Sequence, residues 1–309
     1  MSKTALLFAG QGAQYPGMGM EVYDAFPEAR EVFERAEEIV SLPLRRICFE
    51  GTHDELRRTE WTQPAILTVS VATWHVLRAA GVKAQAALGL SLGEYGAHVA
   101  AGSLDWQEAL PLVRLRGKLM QEAVPEGTGG MLAVLGLEEA EVEALCEQAP
   151  KTLEAANYNA PGQVVVAGRP LALDWMAERV AERGARSVRL SVSAPFHSSL
   201  LESAGIALRP ALEGIHWGTP GFPVIANMTA RPTEMTHVVD TLALQVYRPV
   251  RFSDSLAYLR REGYDHFIEV GPGRAQVGFL KRLDRAAQFH TTDKLAELQA
   301  ALDWVKEVC

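Results

Sequence analysis

The chain has 309 residues, 48% hydrophobic and 22% charged, enough for one sizeable core and a smaller unit, and a composition that excludes intrinsic disorder. A formal net charge of −8 argues against nucleic acid as a main partner. No apolar run approaches the roughly 20 residues that span a bilayer, Met1-Ser2-Lys3-Thr4 shows no signal-peptide pattern, and Cys48, Cys146 and Cys309 give neither a disulfide framework nor a zinc spacing, so a cytoplasmic protein without membrane contact is expected.

In chain order, Thr4 to Ala9 is a buried-strand run feeding Gly10-Gln11-Gly12-Ala13-Gln14-Tyr15. A dinucleotide fingerprint would need its third glycine at Tyr15, so that reading is rejected. Two readings stay open: a tight turn, or glycines that let the Gln11 N–H approach a reacting oxygen. Helical patterns cover 28–40 and 63–80, then a strand at 84–89 ends in Gly89-Leu90-Ser91-Leu92-Gly93. In such a Gly-x-Ser-x-Gly elbow the glycines remove Cβ atoms that would collide, and the serine stands at a strand-to-helix turn as a candidate nucleophile. The N–H of Leu92, the next residue, is a candidate oxyanion donor.

Helices follow at 92–101 and 105–124. On the second, Arg116 has Leu112, Val113, Leu119 and Met120 at helical spacing and faces inward, whereas Arg114 reads as solvated. A buried guanidinium needs an anion, either a structural carboxylate, the commoner case, or a substrate carboxylate held bidentately. After a turn-rich break at 125–130 the pattern becomes β (131–136), α (138–148), β (152–157), β (163–168), α (171–183), β (186–192), the order of a ferredoxin-like unit. Helix 198–213, strand 222–228, helices 237–246 and 252–262, strand 265–270 and two final helices complete the chain. The expected fold is α/β, with a discontinuous large domain (1–127 and 196–309) and an inserted subdomain (128–195).

A nucleophilic serine needs a base. His98 lies seven residues along the same helix, about 10 Å away by rise alone, which rules it out. No two histidines have metal-ligand spacing, so no metal is expected. His197, in a loop at the hinge between the two units, is the preferred base, with His266 and His290 left open.

Taken together, Phe8 to Gln14, Thr62-Gln63-Pro64-Ala65, Ser91 to Tyr95, Arg116 to Gln121, Asn157 to Gln163, Phe196-His197-Ser198 and Glu269 to Gly273 resemble, in order and over nearly the whole chain, the malonyl-CoA:acyl-carrier-protein transacylases of fatty-acid synthesis and the acyltransferases of polyketide synthases. The resemblance implies an α/β-hydrolase-like large domain with an inserted ferredoxin-like α+β subdomain. It makes Ser91 the acylated nucleophile, His197 its base, Arg116 the clamp on the malonyl carboxylate, and the N–H groups of Gln11 and Leu92 the oxyanion hole. It places Gln63, Asn157, Asn159 and Gln163 around the cleft and has the main-chain carbonyl of Gln245 orient the histidine. No cofactor is implied; the substrates are malonyl-CoA and an acyl carrier protein. Phe196 resembles the malonyl-selecting pattern, because a bulky ring there leaves no room for an α-methyl. Leu90 stands where fatty-acid members usually carry histidine and looks more like polyketide acyltransferases. Arg186, Arg189, Lys281 and Arg282 are candidate contacts for an acidic carrier. Two other classes share the elbow: a serine hydrolase acting on acylated carriers, and an inert carrier-binding scaffold. The presence of Arg116 beside Ser91 and His197 weighs against both.

Overall fold

The computed structural model describes residues 3–125, 127–192 and 194–308; Met1 and Ser2 of the chain start, Glu126 of the turn-rich break, Ser193 and Cys309 lie outside them. Among the described residues the strands are β1 (Lys3–Phe8), β2 (Ala86–Gly89), β3 (Gly130–Leu135), β4 (Leu153–Ala160), β5 (Gln163–Gly168), β6 (Arg186–Arg189), β7 (Val224–Ile225), β8 (Tyr264–Val270) and β9 (Gln288–Thr291).

β7-β2-β1-β8-β9 form one parallel sheet. Its central strands are apolar on both faces because helices cover both. Leu6, Phe8, Ala87 and Ile268 pack into one core, while Ala5, Leu7, Leu88 and Phe267, the alternate residues, pack into another. In register, Phe8 lies opposite both Gly89 and Val270, so the carboxyl ends of three strands finish level and open onto one edge. That edge is where ligands bind in sheets of this kind.

β4-β5-β3-β6 form a second, antiparallel sheet. Leu132, Val134, Val164 and Val166 on one face pack with helices Glu139–Gln148 and Pro170–Glu182. Met131, Ala133, Val165 and Ala167 on the other face join the core of the parallel sheet. Main-chain bonds stitch the seam: Tyr158 N–H donates to the Val250 carbonyl at 2.9 Å, and Val250 N–H donates to the Ala156 carbonyl at 2.8 Å.

Several elements differ from expectation. The strand predicted at 222–228 is only Val224–Ile225, because the chain leaves the sheet into a turn closed by Ala226 N–H to Arg231 O. β9 was not foreseen: four half-exposed edge residues, Gln288–Thr291, are too short and polar to show a strand pattern. Helix Thr59–Ala79 starts before the predicted 63 and carries Pro64 inside it, its first turn anchored by Thr59 N–H to Gln121 Oε1 at 2.9 Å. Short helices Met20–Ala25, Leu44–Glu50 and His53–Leu56 also escaped the pattern reading. Among the described residues no helix is long and apolar enough to cross a membrane.

Candidate active site

Three strand ends supply the floor of the site. β2 runs into Leu90 and Ser91, β1 into the loop bearing Gln11, and β7 into Asn227. A Cβ on Gly89 would lie 2.0 Å from the Gly93 carbonyl carbon, and one on Gly93 would lie 2.1 Å from the Phe8 carbonyl oxygen, so the elbow closes only with glycine at both places. Ser91 itself takes φ of 54°, a left-handed conformation that costs a non-glycine residue energy and is found at nucleophile elbows.

His197 Nε2 lies 2.7 Å from Ser91 Oγ, and His197 Nδ1 lies 2.7 Å from the Gln245 carbonyl oxygen. The carbonyl can only accept, so Nδ1 carries the proton and Nε2 is free to accept one from the serine. His197 also sits at positive φ, 58°, and is 3% exposed. Burial, and then the charge of Arg116, push its pKa down to about 3, so the ring is neutral near pH 7. His98 is buried against Ser103, with Nδ1 2.9 Å from its Oγ; His266 stacks on Trp304 with ring centroids 3.7 Å apart, and His290 stacks beside it. Distance therefore settles which histidine meets Ser91.

Arg116 is 1% exposed. Its Nη2 donates to Ser91 Oγ at 3.0 Å and to Gln245 Oε1 at 2.9 Å, and its Nη1 donates to Gln63 Oε1 at 2.8 Å. Its guanidinium lies over the Tyr95 ring, 5.5 Å from the centroid. Among the described residues it forms no ion pair with a carboxylate, and Nε has no hydrogen-bond partner. Burial works against its charge and lowers its pKa. Arg114, expected to be solvated, is instead half-buried: it pairs with Glu60 at 3.2 Å and donates to the Val40 carbonyl at 2.6 Å, because the helix packs that flank on its neighbours.

A cavity of about 120 Å³ opens onto Ser91 and His197, lined also by Gln11, Asn157, Asn159 and Phe196. Asn157 and Asn159 reach it together because alternate residues of β4 share a face, and Val165, opposite Asn157, completes that wall. Gln11 donates its side chain to Thr59 Oγ1 at 3.3 Å. The N–H groups of Gly93, Glu94 and Tyr95 are taken by carbonyls of Leu90, Ser91 and Leu92; that of Leu92 is not among them. Gln63 touches Arg116 rather than the cavity. Gln163 does not line the cavity: it lies two residues before Val165, about 7 Å further along β5 at the hairpin end. A larger hollow of about 660 Å³ adjoins it, sharing Val192, and another of about 620 Å³ lies elsewhere; neither contains Ser91 or His197. Among the described residues no cluster of three metal-ligating side chains occurs.

Two residues were missed. Asn227 is fully buried, accepts the Ser91 N–H on Oδ1 at 2.6 Å and donates Nδ2 to the Gly89 carbonyl at 2.6 Å. Glu94, also fully buried, accepts on Oε2 from the Asn227 N–H at 3.0 Å and from Gln245 Nε2 at 2.7 Å. Burial raises the Glu94 pKa to about 7 against the lowering effect of these donors and of Arg116. The available signals were a polar residue directly past an apolar strand and an acid on an apolar helix. Of the proposed carrier contacts, Arg189 is held by Asp174, whereas Lys281 and Arg282 line a hollow with Arg285, Pro161 and Phe289.

A protein-family model of the acyl transferase domain matches residues 5–282. The malonyl CoA-acyl carrier protein transacylases of Bacillus subtilis and Escherichia coli are 39% and 38% identical, covering 99% and 98% of this chain and 98% and 100% of their own. The crystal structure of the transacylase of that name from Clostridium perfringens superposes with a TM-score of 0.95 at 39% identity over 99% of this chain and 98% of its own. A malonyl-transacylase solved in complex with its type II PKS acyl-carrier protein does so with a TM-score of 0.95 at 37% identity, over 98% of this chain and 99% of its own. The chain belongs to the acyl transferase domain family and, within it, to the malonyl CoA-acyl carrier protein transacylases.

Proposed function

We propose that this protein moves a malonyl group from malonyl-CoA to the phosphopantetheine thiol of an acyl carrier protein, in fatty-acid or polyketide biosynthesis, through a malonyl ester on Ser91. The observation that carries the reading is a serine hydroxyl lying between a neutral histidine at 2.7 Å and a buried arginine, at 3.0 Å, that lacks a carboxylate partner. His197 Nε2 takes the Ser91 proton as Oγ attacks the thioester carbonyl. The oxyanion is held by the N–H groups of Gln11 and Leu92. Collapse expels the coenzyme A thiolate, which takes the proton from His197. The carrier thiol then gives its proton to His197 and attacks the ester; collapse breaks the bond to Ser91 Oγ, which takes that proton back from His197. Every step uses side chains and main-chain N–H groups, and the scheme calls for no cofactor.

Arg116 offers two N–H groups of a planar fork to the malonyl carboxylate, displacing its amide partners. Phe196, 6% exposed on the cavity wall, restricts bulk at the α-carbon, with Asn157 and Asn159 as polar contacts. In this proposal the parallel sheet and its helices are an α/β-hydrolase-like domain built from 1–127 and 196–309. The antiparallel β-α-β-β-α-β unit, 128–195, is its ferredoxin-like insertion. A cytoplasmic setting is supported by free thiols at Cys48 and Cys146.

Intact mass after mixing with malonyl-CoA tests the reading. A malonyl adduct that persists until holo carrier protein is added, and is absent in Ser91→Ala, is the expected result. Rapid loss to water would make the protein a hydrolase; no adduct would make it a scaffold.

A further inference from the structure

The Ser91 peptide is gripped from both sides by side chains distant in sequence. Its N–H goes to Asn227 Oδ1 at 2.6 Å, and its carbonyl accepts from Gln245 Nε2 at 3.0 Å. Both gripping residues end on one atom: Glu94 Oε2 accepts the Asn227 N–H at 3.0 Å and Gln245 Nε2 at 2.7 Å. Asn227 also holds the Gly89 carbonyl, at the other end of the elbow. Gln245 supplies the carbonyl that orients His197 and the side-chain oxygen that meets Arg116. A residue at positive φ persists only where its surroundings over-determine it, and here a single carboxylate oxygen anchors both restraints.

We propose that Glu94 is a positioning residue, holding the nucleophile in its attacking conformation through Asn227 and Gln245 and keeping it in register with His197. The inference rests on the malonyl-transfer reading. A carboxylate suits the place because it only accepts, and one oxygen can take two donors. Oε1, which has no partner, adds nothing to the grip, so an amide oxygen at the Oε2 position can replace the anion. Arg116 and Tyr95 are the other charged or titratable groups acting on it. A carboxylate kept only to balance Arg116 would not need its two bonds to converge on the supports of Ser91.

The test compares Glu94→Ala, Glu94→Gln, Asn227→Ala and wild type in the full chain. It measures the rate of malonyl-enzyme formation by rapid quench, KM for malonyl-CoA, and a melting curve. Misplacement of a reacting group by an ångström can cost about a hundredfold, so Glu94→Ala is expected to slow acylation by about 30-fold or more with KM changed by less than about threefold. Asn227→Ala, which leaves Glu94 and Gln245 in place, should slow it by about tenfold in the same pattern. Glu94→Gln should recover most of the rate yet melt below wild type, since its NH2 group is left without an acceptor where Oε1 stood. Rate and stability then come apart. Wild-type acylation in Asn227→Ala, or a Glu94→Gln no faster than Glu94→Ala, overturns the proposal. If Glu94→Ala does not fold, Asn227→Ala and Glu94→Gln still decide. A wild type that never forms the adduct removes the transfer reading instead.

Discussion

Arg116 is a buried cation whose hydrogen bonds go to two amide oxygens and a hydroxyl, which separates the two readings of an inward arginine on physical grounds. Breaking a buried ion pair would cost about 3–5 kcal/mol of stability. Here no carboxylate hydrogen-bonds Arg116, although its charge does act on the buried Glu94, so Arg116→Ala should cost less stability than breaking a direct pair would. Its kcat/KM for malonyl-CoA should fall by about 1.5–3 kcal/mol, roughly 10- to 150-fold, while acetyl-CoA changes little. An unchanged malonyl-to-acetyl ratio would place selectivity elsewhere. For His197, burial and the Arg116 charge both disfavour the imidazolium. The depressed native pKa means that the unfolded chain takes a proton near the usual 6.5 and the native ring does not. Stability from this group is therefore intact above about pH 6.5 and lost progressively as pH falls toward about 3. Proton NMR of the His197 ring should show no titration between pH 5 and 8, and a midpoint near 6.5 would contradict the assignment. The inward side of Arg116 was legible because helical spacing alone fixes which flank a residue occupies. Asn227 and Glu94 were not, since their partners come from segments that meet only once the sheets have formed.

At the scale of elements, the strands buried on both faces were the legible ones. Ala5 to Phe8 and Ala86 to Leu88 are continuous apolar runs because helices cover both sides of the sheet. The outer strands were less legible: β9 is short and partly exposed and was missed, while β7 ends at Ile225 short of its expected span because the returning chain closes its outer flank, Thr233 N–H donating to the Val224 carbonyl. The elbow was legible as a motif, and the structure supplies its cause, two glycines packed backbone to backbone. Gly89→Ala should therefore be overpacked, losing about 1–3 kcal/mol of stability or more and distorting Ser91. Chemical denaturation together with adduct formation checks it, and a normally acylated Gly89→Ala would show that the elbow can yield.

Over the whole molecule, the acidic chain carries a local basic patch at Lys281, Arg282 and Arg285, and among the described residues no carboxylate lines the hollow between them. An acidic carrier docking there would be steered by charge and screened by salt. Lys281→Glu with Arg282→Glu should raise KM for the carrier by on the order of tenfold and weaken its salt dependence, leaving acylation by malonyl-CoA unchanged. Steady-state kinetics with each substrate varied separates the half-reactions, and an equal effect on both would move the docking face elsewhere.

Ser91 and His197 share one property that sets the fold against its own chemistry: both occupy left-handed backbone that suits glycine. Ser91→Gly and Ser91→Ala lack the hydroxyl alike, yet only glycine relaxes the torsion, so the glycine variant should melt higher, by about 0.5–1 kcal/mol. The left-handed torsion at Ser91 is thus a place where relieving strain and keeping the hydroxyl exclude each other, so stability gained there is lost to the acyl ester proposed above.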